Sequence, residues 1–210
     1  DEDLAQATPA AVAELAPEDP ALIVFTSGTT AEPKGVVHTQ RYLLGQATQA
    51  QHWFGAEPGD LCWCTAAPGW SKSSRNSFIA PWLRGAKSLL VEGRFEPETR
   101  MDIVRREGVN VLCQAPTEYR ILAKRTELGP APSLRRMVSA GEALNPEVIG
   151  AFREATGLEI ADGYGQTETG AVTGVRPGEA LSGREGSMGR PLPGIETRIE
   201  DGELQIRAAT

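Results

Sequence analysis

Two short stretches of this chain carry residue types suited to holding phosphates. The first is Thr26-Ser27-Gly28-Thr29-Thr30-Ala31-Glu32-Pro33-Lys34-Gly35, set between the apolar runs Leu22-Ile23-Val24-Phe25 and Val36-Val37. Glycine lets backbone N–H groups turn inward, four hydroxyls add donors, and Lys34 supplies a compact positive charge for which polyphosphate is the natural partner. A surface hairpin of plain turn residues is the alternative, but seven of the ten positions are Gly, Ser, Thr or Lys and the flanks read as buried-type strands. A Walker loop does not fit, because its lysine leads into a helix whereas Lys34 precedes a glycine and a strand. The second stretch is Gly163-Tyr164-Gly165-Gln166-Thr167-Glu168. Here the Tyr164 ring could stack on a base, Thr167 could bond a phosphate, and Glu168 could hold a hard cation. Its glycines miss the Gly-x-Gly-x-x-Gly spacing of a dinucleotide site.

Three other positions invite a functional reading. Gly141-Glu142 is either a ligand loop or a turn that precedes a helix, and Trp70 is either a packing cap or a ligand wall. His38, directly after the phosphate-loop strand, reads as a satisfied structural histidine in preference to a substrate contact. Cys62, Cys64 and Cys113 lie in apolar runs and read as buried free thiols, since neither His38 nor His52 stands at metal-ligand spacing to them. Trp53, Trp63 and Trp82 read as core or rim residues.

The elements that must position these residues alternate. A helix is expected over Arg41 to Phe54, closed by the turn Gly55 to Asp60, and a buried strand over Leu61 to Ala66. The polar stretch Pro68 to Ser74 reads as a loop, followed by a helix from Ser77 to Leu83 and a second buried strand from Ala86 to Val91. Next come helix Pro97 to Glu107, strand Val109 to Gln114, helix Thr117 to Thr126, strand Leu134 to Ser139, helix Pro146 to Thr156 and strand Leu158 to Ala161. That rhythm predicts an α/β fold of parallel βαβ crossovers with helices on the sheet faces. Asn145-Pro146 and Gly157 mark the ends of one helix as an N-cap with first-turn proline and a glycine stop. The loops Ala140 to Ala143 and Asp162 to Gly170 then open on the same carboxyl edge of the sheet.

Residues 1–20 read as a lead-in with a short helix from Pro9 to Leu15, residues 21–194 as the α/β core, and residues 195–210 as the start of a small β subdomain. Residues 171–194 show no periodicity, and a β-hairpin, Glu196 to Ile199 with Glu203 to Arg207, turns at Asp201-Gly202. An isolated hairpin at the end of a chain is marginal, so the polypeptide reads as cut out of something longer. The 28 acidic and 21 basic residues give a net charge of -7, which disfavours nucleic acid and anionic lipid as partners. No apolar run suits a membrane span, and the acidic start points to the cytoplasm as the compartment.

Taken together the motifs resemble the adenylate-forming superfamily, which includes acyl-CoA synthetases, luciferases and peptide-synthetase adenylation domains. Thr26 to Gly35 is similar to that family's Thr-Ser-Gly-Thr-Thr-Gly-x-Pro-Lys-Gly loop, and Tyr164 to Glu168 to its Tyr-Gly-x-Thr-Glu motif. Pro68-Gly69-Trp70, Ser139 to Leu144 and Gly163 to Gly170 resemble most closely the acetyl- and medium-chain acyl-CoA synthetase branch. The resemblance implies a two-step reaction in which a short- or medium-chain carboxylate and ATP form an acyl-adenylate, and coenzyme A then displaces AMP. It implies that Thr26, Ser27, Gly28, Thr29, Thr30 and Lys34 hold the β- and γ-phosphates. Gly141, Glu142 and Ala143, with Asp162, Gly163 and Tyr164, would line the adenine pocket next to Gly165 and Gln166. Thr167 would meet the α-phosphate, Glu168 would bind Mg²⁺, and Trp70 would wall the acyl pocket.

Two departures from the family pattern stand out. Ala31 replaces a usual glycine, a change that costs about 1 kcal/mol if the position needs a positive φ. The chain also ends before the family's ribose-binding aspartate, its hinge and the small domain that carries a catalytic lysine, so alone it is expected to be inactive. Two alternatives stay open: adenylation of an aryl or amino acid for a carrier protein, and a non-catalytic nucleotide-binding module.

Overall fold

The computed structural model describes residues 8, 10–26, 32–180 and 183–208. Its first regular element is the antiparallel hairpin of β1 (Pro20–Thr26) and β2 (Lys34–Thr39), which pairs Thr26 with Lys34 at its closed end. These strands form a two-stranded sheet of their own, and they are not the buried strands that their composition suggested. Ile23, Phe25 and Val37 face solvent, while Val24 and His38 are buried. Pro9 lies outside the described residues, and 10–16 are not helical, so the expected short helix from Pro9 to Leu15 does not appear among the described residues. Residues 10–16 are exposed, Val12 and Leu15 included, and a short helix needs a packed apolar face.

Helix α1 (Tyr42–Gln49) continues as a π-helical turn, Ala50–Phe54, and stops where Gly55 adopts φ 73°. Strand β3 (Leu61–Cys64) follows. The next helix, α2, begins at Ser71, six residues earlier than expected, and runs through Ser71–Ser74, a π-helical stretch Arg75–Ile79 and a last turn Ala80–Leu83. Its polar first half looks like a loop in sequence, yet Ser73, Arg75, Asn76 and Ser77 are buried, with Arg75 bonded to the Gln166 and Thr167 carbonyls and Asn76 to Gln49. Strand β4 is only Lys87–Leu89 at the sheet edge, and Leu90 and Val91 are exposed, so this run is no second buried strand.

The remaining elements are α3 (Pro97–Glu107), β5 (Val111–Gln114), α4 (Pro116–Arg125), β6 (Arg136–Ala140) and α5 (Pro146–Thr156). After them come β7 (Ile160–Gln166), β8 (Gly170–Gly174), β9 (Arg190–Pro191), β10 (Ile195–Glu200) and β11 (Glu203–Ala208). Helices α3 and α5 start at their prolines and end before left-handed glycines, Gly108 and Gly157. Asn145 occupies the N-cap position of α5, but its side chain makes no capping hydrogen bond; its carbonyl accepts from Val148 N at 3.0 Å. Strands β10 and β11 form the terminal hairpin around Asp201-Gly202.

The main sheet has the order β4-β3-β5-β6-β7-β8-β9. From β4 to β7 all neighbours are parallel, and β8 and β9 are antiparallel additions. Side-chain alternation divides the core. Trp63, Leu112, Met137 and Ile160 pack with residues of α3, α4 and α5, whereas Cys62, Val111, Cys113, Val138 and Ala161 pack with residues of α1 and α2. The three cysteines are buried and free.

Strand β7 corrects the expectation of a loop from Asp162 to Gly170. Residues up to Gln166 stay extended, because β8 returns alongside and pairs Gly163 with Gly174. The glycines serve close packing here: a Cβ on Gly163 would stand 2.5 Å from Trp53 Nε1, and one on Gly174 would overlap the same indole. Only the turn Thr167–Thr169 separates the two strands.

Candidate functional site

A cavity of about 1750 Å³ opens along the carboxyl edge of the parallel strands, where α/β sheets place their ligands. It collects most of the residues singled out in sequence. Thr26 and Lys34 enter from the hairpin, Gly141 and Glu142 from the end of β6, and Tyr164 to Glu168 from β7 and its turn. Trp70 closes one side with 72% of its surface still exposed. Three predicted residues do not line the cavity: Asp162 and Gly163 are buried in β7, and Ala143 offers its carbonyl to Arg120 at 3.0 Å. Ser27, Gly28, Thr29, Thr30 and Ala31 lie outside the described residues.

The Thr167–Thr169 turn rests on polar side chains that the sequence reading passed over. Arg75, buried in α2, donates through Nη1 and Nη2 to the Gln166 carbonyl at 3.2 Å, and through Nη2 to the Thr167 carbonyl at 3.4 Å. Gln49 accepts from Ala171 N at 2.9 Å and donates to Asn76 Oδ1 at 3.1 Å. His38 is buried and stacks on Tyr42, with ring centroids 4.0 Å apart; the Thr167 carbonyl is its backbone hydrogen-bond partner, and Nε2 has none among the described residues. Burial and then the Arg75 charge hold its pKa below the usual value, partly offset by the Thr167 carbonyl and Glu168. The sequence signal for this cluster was slight: polar residues at helical spacing in segments whose polarity reads as surface or loop.

Ser71 Oγ lies 3.3 Å from Thr167 Oγ1, which brings the start of α2 onto the turn. Lys72 spans the next two strand ends, donating to the Gln114 carbonyl at 2.6 Å and the Ala140 carbonyl at 3.0 Å. Glu142 is held by the Thr117 hydroxyl and by Arg120, and the Thr117 hydrogen bond leads the causes that lower its pKa. Burial raises Asp162 to about 6, although Oδ1 accepts from Gly163 N at 3.0 Å; its Oδ2 has no partner. Farther along the cavity, Arg100 pairs with Glu118 at 3.0 Å and lies over Trp63, 4.6 Å from the ring centroid.

A hard cation fits this lining in one manner. Among the described residues no group of three His, Cys, Asp or Glu side chains could hold a metal. Glu168 is an exposed cavity carboxylate with no salt bridge among the described residues, and that matches the one-carboxylate, phosphate-completed sites typical of Mg²⁺.

Fold and cavity define an α/β protein with a cavity at the carboxyl edge of a parallel sheet, bordered by the end of the β1–β2 hairpin and the Thr167–Thr169 turn. Residues 1–208 match the AMP-binding enzyme family, and the chain belongs to it. It is 41% identical over 197 residues to the acyl-CoA ligase YtcI of Bacillus subtilis, covering 91% of this chain and 37% of that protein. It is 37% identical over 190 residues to the acetyl-coenzyme A synthetase of the same organism, covering 89% of this chain and 33% of the relative. The structure of a Brucella canis acyl-CoA synthetase superposes with a TM-score of 0.83 at 34% identity, over 95% of this chain and 37% of that one. The chain thus spans about a third of the length of the curated relatives it matches. Among the described residues no helix is long and apolar enough to cross a membrane.

Proposed function

We propose that the protein carrying this chain activates a short- or medium-chain carboxylic acid with ATP, giving an acyl-adenylate and pyrophosphate, and then transfers the acyl group to coenzyme A. The observation that carries this reading is one cavity lined at once by Lys34, Gly141-Glu142, Thr167-Glu168 and Trp70.

A carboxylate is already nucleophilic at neutral pH, so the first step asks for no general base. Its oxygen attacks the α-phosphorus, and the bond to the pyrophosphate oxygen breaks. The obstacle is negative charge crowding at phosphorus, which aligned donors and cations relieve. In this reading Lys34, Gly28 and the hydroxyls of Thr26, Ser27, Thr29 and Thr30 hold the β- and γ-phosphates. Thr167 donates to the α-phosphate, and its position is kept by Arg75 from behind and Ser71 from the side. Gly141 and Glu142 face the adenine together with Tyr164, while Ala143, held by Arg120 through its carbonyl, and Asp162 and Gly163, within the strand, shape that wall from behind. Gly165 and Gln166 continue the wall to Thr167, and Trp70 bounds the acyl group. Glu168 is the residue that would hold Mg²⁺, and the chemistry the ion supplies when bound is neutralisation of phosphate charge. In the second step the coenzyme A thiolate attacks the acyl carbon and AMP leaves.

Acid-dependent exchange of pyrophosphate into ATP by the intact protein tests the reading, with Lys34→Ala as the diagnostic variant. Exchange that proceeds equally well without Lys34 would remove the loop from the phosphate site. Nucleotide binding with no exchange for any acid would favour a non-catalytic module.

A further inference from the structure

Lys72 is the cavity's unexplained charge. It stands two residues after Trp70 in the first turn of α2, half-buried, with Nζ bonded to the carbonyls of Gln114 and Ala140. Both acceptors are neutral, and an ammonium has three N–H donors. No salt bridge engages Lys72 among the described residues. The two carboxylates that feel its field are otherwise disposed: Glu142 is paired with Arg120, and Asp162 stays raised to about 6 in spite of it. An ammonium half out of water without a counter-ion is costly unless a ligand supplies the anion.

Position decides which anion this is. Nζ lies over the seam between β5 and β6, and Thr167 lies in the turn beyond β7. With strands about 4.8 Å apart, the ammonium stands one to two strand spacings, roughly 5–10 Å, to the side of Thr167. The reacting carboxylate has to meet the α-phosphate at Thr167, and the outer phosphates belong with Lys34, so neither neutralises Lys72. We propose that Lys72 is a specificity-determining residue that receives a second carboxylate at the far end of the substrate, making the preferred acid a short dicarboxylic acid. Its third N–H makes the bond, and the strand-end carbonyls aim the ammonium. This inference rests on the acid-activating reading above.

The experiment is pyrophosphate exchange by the intact protein with length-matched mono- and dicarboxylic acids of two to six carbons, repeated with Lys72→Met and Lys72→Arg. The wild-type protein is expected to prefer one dicarboxylate over its monocarboxylate match by at least tenfold in kcat/KM. Lys72→Met should lower that preference roughly 10- to 100-fold, the worth of one charged hydrogen bond, and Lys72→Arg should lower it less. A wild-type preference for monocarboxylates overturns the proposal without any variant, so a Lys72→Met protein that fails to fold does not shelter it. Equal losses for both acid classes in Lys72→Met also overturn it, because they would mark Lys72 as a strand-end cap or as a ligand of the reacting carboxylate. Exchange with no acid at all would defeat the activation reading itself, and the inference with it.

Discussion

Thr26 and Lys34 close a two-stranded ribbon whose Ile23, Phe25 and Val37 face solvent, whereas the turn at Thr167–Thr169 stands on Arg75, Gln49 and Asn76, each of them buried. Both segments look alike in sequence, short and rich in hydroxyls and glycine. Their support differs in kind. The closed end of the hairpin is held by its own ladder, and Lys34 is exposed there, so that side chain is free to serve chemistry without serving the fold. The turn is fixed by buried side chains whose loss leaves the Gln166 and Thr167 carbonyls and the Ala171 N–H unpaired, and there stability and chemistry are coupled.

Lys34→Ala is the sharpest way to test that contrast. It is expected to lower exchange by about 10²–10³-fold, the usual cost of losing one electrostatic contact to a reacting phosphate or oxyanion, while the urea midpoint stays at the wild-type value. A large stability loss would show that the hairpin is braced after all. Gly174→Ala acts on the opposite side of the comparison. Its methyl group has nowhere to go but into the Trp53 ring, and a destabilisation of about 3 kcal/mol is expected by urea unfolding. Arg75→Met should cost about 2–3 kcal/mol and reduce exchange together, since the Gln166 and Thr167 carbonyls lose a charged donor. Wild-type stability in that variant would mean the turn supports itself.

The smallest effect belongs to Asp162, and its sign is specific. The native pKa is raised from 3.8 to about 6, so the unfolded chain releases this proton first and stability drains away as pH rises from about 4 through 6. Asp162→Asn should therefore stabilise the protein by about 2 kcal/mol at pH 8 and make little difference below pH 4. His38 works in the other direction, because its lowered pKa removes stability as pH falls below 6.5. A stability difference between Asp162→Asn and the wild type that does not grow from pH 4 to pH 6 would show that this carboxylate is better solvated than its burial implies.

Much of the fold was legible because local chemistry and tertiary structure agree. Proline and glycine mark both ends of α3 and α5, Asp201-Gly202 turns the terminal hairpin, and the alternating apolar runs become the parallel strands. Reading failed where burial was polar. Ser71 to Ser77 has the composition of a loop, yet it is helical, because its buried Arg75 and Asn76 are satisfied by a turn some 90 residues away and by Gln49. Gly163 and Gly165 have poor strand propensity, but β8 and Trp53 approach so closely that only glycine fits. Leu90 and Val91 are apolar and exposed, since a strand at the sheet edge has nothing beyond it among the described residues.

By itself the sequence determined the α/β alternation, the family to which the chain belongs, and the identities of Lys34, Thr167 and Glu168 as candidate phosphate and cation groups. These follow from residue type and short spacing, which are properties of a local window. Only the tertiary structure could place Lys72 across two strand ends, Arg75 behind the turn and His38 beside it. Each of these depends on which carbonyl lies within about 3 Å of which side chain across separations of 40 residues or more, and no local periodicity encodes that.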